Sequence, residues 1–300
     1  MTEAFVATGL FAISIVCASR STRALGGIKA NVIRISISTL LLGVWAFTLG
    51  GGFDGPARWL FFVSGCVGYG VGDMALYLAL PTLGSRLSMV LVHCLAAPFA
   101  ALSEWIWLGT RLGGVELGAA ALILGGVAVA LAPEKGAPAH GKDLVNGIML
   151  GVLAAVSQGI GAVLSRKAFA LARAEGWNMD GGTAAFQRIL GGFLITMVAT
   201  WVLTRYQSNW GRAQSRDEKG LDRVWPWVLG NCLAGPILGV SFFQWALKST
   251  ASGIVLPIVA TTPILVIPLA RWLEGDRPSR RSLAGGVVAV VGAVWLALSR

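Results

Sequence analysis

The sequence predicts an all-α integral membrane protein, with ten transmembrane helices arranged as two inverted five-helix repeats. Composition indicates the solvent, and an internal duplication indicates the arrangement. Of 300 residues, 55% are hydrophobic and 13% charged, with 40 glycines and a mean hydropathy of +0.72. One soluble core cannot hide that much apolar surface, so the chain requires lipid around it. The stretch from Trp59 to about Ala132 recurs from Trp225 to the C-terminus. Trp59, Cys66 and Arg111 pair with Trp225, Cys232 and Arg277 at an offset of 166 residues, and Pro98 pairs with Pro263 at 165. Duplicated multi-helix units in apolar chains are a common build of secondary transporters, with the substrate path at the seam between halves. Transport is therefore the leading expectation.

Spans are expected at 4–19, 29–49, 58–80, 86–108, 115–132, 145–166, 184–204, 225–247, 252–273 and 283–298. Each approaches the roughly 20 apolar residues that cross a bilayer. The first has no basic leader and no clear cleavage site, so it is read as a retained helix. Gly50, Gly51 and Gly52 with Pro56 close the second span, Pro81 the third, and Gly113 with Gly114 the fourth. Residues 133–143, with Gly136, Pro138, Gly141 and mixed charge, form the linker between a first repeat, 1–132, and a second, 144–300. Five crossings per repeat is an odd number, so the second repeat enters the membrane from the opposite side and is inverted. Residues 205–224 are the longest polar loop and read as a solvated connector. The pairs Gly68 and Gly72, Gly114 and Gly118, and Gly147 and Gly151 are small-xxx-small spacings that let helix backbones approach closely. The Gly65–Gly72 string has neither a Walker lysine nor a preceding strand, which excludes a phosphate loop.

The net charge of +10 sits mainly at the ends of apolar runs, which suits anionic lipid headgroups and argues against a nucleic-acid surface. Cys17, Cys66, Cys94 and Cys232 lie inside expected helices without a CxxC pair, so they read as small packing residues. Neither a metal nor a cofactor is expected. Trp59, Trp105, Trp107, Trp225 and Trp227 fall near span ends, as interfacial belts do. Lysine and arginine are about twice as abundant in the loops after spans 1, 3, 5, 7 and 9 as on the other face, which by the positive-inside rule places both termini outside.

Several short motifs recur in the same order in both halves. An Arg lies early in the second helix, as Arg34 in NVIRISISTLLLG and Arg188 in AFQRILGGFLITM. Ala-Leu closes the third, as Ala79-Leu80 and Ala246-Leu247. A Pro lies within the fourth, as Pro98 in LAAPFAALSEWIWLG and Pro263 in TTPILVIPLARWLEGDR. Glycines mark the fifth, as Gly118, Gly125 and Gly126, and as Gly285 and Gly292. In these the chain resembles the drug/metabolite transporter superfamily, in the ten-helix form built from two EamA-type repeats. One departure is Thr110, where an acidic residue commonly follows the fourth helix; the second copy has Asp276. The resemblance implies a multi-pass protein of the plasma (inner) membrane that exports small metabolites, with cytoplasmic termini in place of the orientation read from the loop charges. It does not fix a substrate.

An ionisable group at membrane depth costs at least about 2.5–3.5 kcal/mol on insertion scales, so each needs a partner, a wet cavity or a function. Asp73 lies well inside the third span between Tyr69 and Tyr77, which share its helix face. A carboxylate among phenols suits reversible protonation in a proton-coupled cycle, or binding of a substrate amine or a buried arginine; the structural alternative is that Asp73 pairs with Arg34 or backbone donors and locks a helix interface. His93, near the middle of the fourth span, is a candidate to relay protons or contact substrate because imidazole titrates near neutral pH, the structural alternative being a hydrogen-bonded packing histidine. Pro98 and Pro263 are expected helix breaks beside the site. In the second copy Gln158, Gln244, Trp245 and Thr262 would supply hydrogen bonds and an aromatic wall to a polar substrate. Arg34 and Arg188 occupy equivalent places in the two halves and either bind anionic groups or anchor helix ends, the second being the preferred reading; Glu104 reads as a residue that snorkels or pairs with Arg111.

The reading that results is a secondary transporter working by alternating access, a proton-coupled exporter of small polar or amphipathic metabolites such as amino acids or drugs. Its partners are a small-molecule substrate, a coupling proton and the bilayer, and nothing in the sequence fixes an oligomeric state. The alternatives are a structural or partner-binding membrane protein and an integral membrane lipid enzyme. The second of these lacks the expected clusters, since neither DDxxD nor HExxH occurs.

Overall fold

The computed structural model describes residues 1–108, 113–131, 142–206, 221–250, 252–275 and 278–298. The linker up to Gly141, residues 207–220, Thr110, Arg111, Asp276 and Arg277 lie outside the described residues, as do the side chains of Glu104 and Trp107.

Apolar runs this long leave the backbone to satisfy its own polar groups, and in lipid a helix does so within one segment. Accordingly, the described residues form helices without strands: α1 (Thr2–Leu25), α2 (Gly27–Thr48), α3 (Arg58–Gly65), α4 (Met74–Met89), α5 (Leu95–Leu108), α6 (Gly114–Leu131), α7 (Lys142–Ala174), α8 (Gly181–Tyr206), α9 (Leu221–Cys232), α10 (Leu238–Ser249), α11 (Ser252–Val259), α12 (Thr262–Leu273) and α13 (Arg280–Leu298). Among the described residues three π-helical segments, Cys66–Asp73, Val90–Cys94 and Leu233–Ile237, join α3 to α4, α4 to α5 and α9 to α10. Among the described residues seven helical runs are long and apolar enough to cross a membrane, and Leu117–Ala130 is a shorter apolar helix. The protein is thus a multi-pass, all-helical membrane protein. Large apolar side chains such as Leu40, Phe47, Ile106 and Trp272 stand exposed on its outer faces.

Several boundaries differ from the sequence expectation. Pro81 does not end a helix; it sits inside α4, and the backbone leaves helical geometry three residues later at Gly84, with φ 71° and ψ 175°. A proline removes one hydrogen bond and is tolerated near a helix end, whereas only glycine enters the left-handed region without strain. Helix α7 runs eight residues past the expected end of its span, because the charged stretch after Ser165 is rich in Ala, Leu, Arg and Lys, all strong helix formers. Its Arg166 Nη1 donates to the carbonyls of Leu247 at 2.7 Å and Thr250 at 3.0 Å, closing the end of α10. Nothing lies within 4 Å of a Cβ placed on Gly114, so the Gly114–Gly118 pair is not the tight contact of α6. That contact is at Gly126, where a Cβ would stand 2.4 Å from the backbone nitrogen of Ala289 in α13.

The packing has a reciprocal character. Helix α1 lies against α9, α10 and α12, whereas α7 lies against α3, α4 and α5. Gly126 meets Ala289, and Gly292 meets Ile123; adding 166 to the first position of one contact and subtracting it from the second gives the other. All four cysteines carry free thiols.

Candidate functional site

Helices α2 and α8 begin in matching register, and each places an arginine at its eighth position, Arg34 and Arg188. Neither anchors a helix end. Their exposures are 5% and 2%, and both face an interior cavity of about 70 Å³. The reason is local. A Cβ on Gly65 would lie 1.7 Å from the carbonyl oxygen of Arg188, so α3 and α8 touch backbone to backbone there. The guanidinium then has no route outward and turns across Tyr69, 5.5 Å above its ring centre.

The π-helical segment Cys66–Asp73 contributes Tyr69 and Asp73 to the cavity wall, and Tyr77 follows one turn into α4. Asp73 forms a buried ion pair with Arg34, whose Nη2 donates to it and also to Asn31 Oδ1 at 3.0 Å. The Arg34 guanidinium lies 4.9 Å from the Tyr77 ring centre. Asn231 Nδ2 donates to the Tyr77 hydroxyl, and Ser14 Oγ donates to Asn231 Oδ1 at 2.8 Å. Together these tie α1, α2, α4 and α9 around one carboxylate.

His93 enters from the π turn Val90–Cys94, with its ring edge-on to Phe11 at 5.7 Å. Its Nδ1 lies 3.2 Å from the carbonyl oxygen of Val259, and since a carbonyl only accepts, Nδ1 carries the proton. Gln158 of α7 also lines the cavity, as do Gly235 and Pro236 of the third π segment. Every described π-helical segment therefore contributes to this wall. Such wide turns break the regular ladder and are frequent at functional sites.

The remaining sequence candidates lie outside the cavity lining. Gln244 is fully buried in α10 with neither amide atom hydrogen-bonded. Trp245 stacks edge-on with Phe242 at 5.3 Å and covers the start of α8 near Gly181. Thr262 donates to the Val259 carbonyl and closes the turn between α11 and α12. Pro98 is accommodated within α5, and Pro263 opens α12 beside a separate small crevice with Arg86 and Val90. Sequence reasoning passed over Ser14 and Asn231; Asn231, a polar residue inside an apolar run, carried the same signal that drew attention to Gln244. Among the described residues no three His, Cys, Asp or Glu side chains converge to hold a metal ion.

A family model described as the EamA-like transporter family matches residues 145–298, half of the chain. The chain belongs to the EamA-like transporter family. Membership makes this EamA protein a membrane transporter of small molecules by family. A solved structure described as "Crystal structure of protein" is similar in fold, at 16% identity and a TM-score of 0.67, with 99% of this chain and 96% of that one covered. No curated protein matches.

Proposed function

We propose that this EamA protein is a ten-crossing, proton-coupled exporter of small polar or amphipathic metabolites, built from inverted halves 1–132 and 144–300. It works in the plasma membrane with cytoplasmic termini, and the cavity around Asp73 is its transport site. The observation that carries this reading is the buried Asp73–Arg34 pair on the wall of an interior cavity lined from both halves by residues of all the described π segments. Charge at membrane depth is expensive and is retained chiefly on ion and substrate paths.

Support for the crossings comes from Gly84. The helical run Arg58–Ser103 has 46 residues, about 69 Å at 1.5 Å per residue, twice the hydrocarbon thickness, and it breaks near its middle. Support for inversion comes from the reciprocal contacts at the repeat offset. A cavity of about 70 Å³ holds a few waters and falls well below the roughly 300 Å³ of a small-molecule site, so loading requires the halves to rock apart. Protonation of Asp73 would remove the partner of Arg34 and release one contact between α2 and the third span, biasing that motion.

The test is metabolite release from cells expressing wild type, Asp73→Asn at matched membrane abundance, or empty vector. Export predicts compounds released by wild type above vector and lost in the mutant. Equal release by wild type and vector would count against export, and equal release by wild type and mutant would remove Asp73 from the cycle.

A further inference from the structure

Hydrogen-bonding groups around the cavity do not balance. Arg34 Nε, Arg188 Nε and the Tyr69 hydroxyl are buried without a partner. Asp73, the one carboxylate among the described residues of the wall, is already taken by Arg34. Arg188 makes no ion pair among the described residues, and its exposure is 2%. Among the described residues the cavity wall thus carries one uncompensated positive charge and an excess of buried donors. Guanidinium nitrogens only donate, so whatever satisfies them must bring acceptors and negative charge.

The duplication shows where the missing charge would have come from. Asp73 has Gly239 as its counterpart 166 residues on, so the first half holds an arginine with its acid while the second holds the arginine alone. An unpaired buried guanidinium is costly and destabilises the fold it sits in. Retaining one, with Nε unpartnered, beside a cavity fits the side-on fork that receives a planar carboxylate through Nε and one Nη. Phe11 and Phe243, 6.1 Å apart, lie along the same wall and suit an apolar substituent on the ligand.

We infer that the substrate of this cavity is a small organic carboxylate whose anionic group docks on Arg188, with the Tyr69 hydroxyl as a second donor. The inference rests on the reading of this cavity as the transport site, but the anion site can be tested without transport.

The experiment uses the full chain in detergent and in liposomes, with phenylacetate, neutral phenylacetamide, cationic phenethylamine and phenyl phosphate as probes. Wild type is compared with Arg188→Met and Arg188→Lys. Phenylacetate should raise the Tm of wild type, the amide and amine should not, and Arg188→Met should bind phenylacetate roughly tenfold or more weakly, as loss of a charge-assisted hydrogen bond implies. Arg188→Met should also match or exceed the ligand-free Tm of wild type, since it removes an unpaired charge; a structural arginine would lower it. A larger shift with phenyl phosphate than with phenylacetate would keep the anion site and change the group to phosphate. Stabilisation by phenethylamine, retention of phenylacetate binding in Arg188→Met, or stabilisation by sodium chloride alone with no further gain from phenylacetate would each overturn the carboxylate site. Anion binding lost in Arg188→Met without release of phenylacetate from wild-type liposomes would uphold the site and defeat the transport reading.

Discussion

His93 touches the position that corresponds to it in the repeat: its Nδ1 lies 3.2 Å from the carbonyl oxygen of Val259, 166 residues further along the chain. Cys94 and Ala260 meet at the same separation, with Sγ 3.8 Å from the carbonyl oxygen. In the inverted arrangement proposed above, residues exchanged by a two-fold axis meet their own counterparts only near that axis, and these contacts would then bring the cavity's imidazole close to where the halves pivot. The Val259 carbonyl also accepts from Thr262. Replacing His93 by Leu therefore costs about 1 kcal/mol, the loss of one of two hydrogen bonds. A proton relay through His93 predicts more: His93→Leu should fold, with a small drop in Tm, and lose the pH dependence of substrate release. A pH profile that matches wild type would remove the relay.

The Arg34–Asp73 pair separates folding from transport. Asp73→Asn leaves Arg34 buried beside a weaker acceptor, and breaking a buried pair from one side costs about 3–5 kcal/mol. Replacing both, as Arg34→Met with Asp73→Leu, leaves no charge behind and should recover most of that loss. Thermal unfolding of the three proteins is the check. The double variant should be near wild type in Tm yet inactive in release; if it exports normally, the pair is structural.

Helices α6 and α13 meet through glycine on both sides. A Cβ on Gly126 would stand 2.4 Å from the Ala289 nitrogen, and one on Gly285 would stand 2.4 Å from the Ala130 nitrogen. Backbone cannot yield as a side-chain tip can, so Gly126→Val and Gly285→Val should each destabilise by about 1–3 kcal/mol or more. Gly114→Ala, with open space around it, should be neutral. Size-exclusion profiles after graded heating would rank the three, and a tolerated Gly285→Val would contradict the close approach.

Hydropathy made the apolar runs legible, because lipid imposes a length and a polarity on every crossing. It failed where helices outlast lipid, as in α7, whose Arg166 to Ala174 segment is charged but helical. It could not place π turns, which change the number of residues per turn without changing composition. One trace of them was present: Cys66 to Pro98 is one residue longer than Cys232 to Pro263, and the first copy carries the π turn Val90–Cys94, which the α11–α12 junction lacks. Among the cavity residues, Asp73, Tyr69 and Tyr77 were readable from their spacing on one helix. Arg188 is visible in the sequence, but choosing between anion binding and helix anchoring needs its burial, which follows from the Gly65 contact, a tertiary fact. Gln244 and Trp245 occupy the same helix as cavity residue Phe243 but point elsewhere, and a single apolar run does not reveal which face a neighbour covers.

Gly68 offers the most selective test of the arginine's position. A Cβ there would meet Arg188 Nη2 at 2.9 Å, and its next neighbour is Gln158 Oε1 at 3.6 Å. Both are tips of flexible side chains, so Gly68→Ala should fold by pushing the guanidinium aside, and alanine favours helix over glycine by about 1 kcal/mol. The Tm should stay level or rise while release of the exported compound falls several-fold, because a donor displaced by even 1 Å loses its alignment with the ligand. Gly65→Ala, whose Cβ would meet the Arg188 backbone at 1.7 Å, should instead lower the Tm. Measured together, stability and release should thus part company at position 68 and fall together at position 65; a Gly68→Ala protein with full release would show that the guanidinium's present placement does not matter to the cavity.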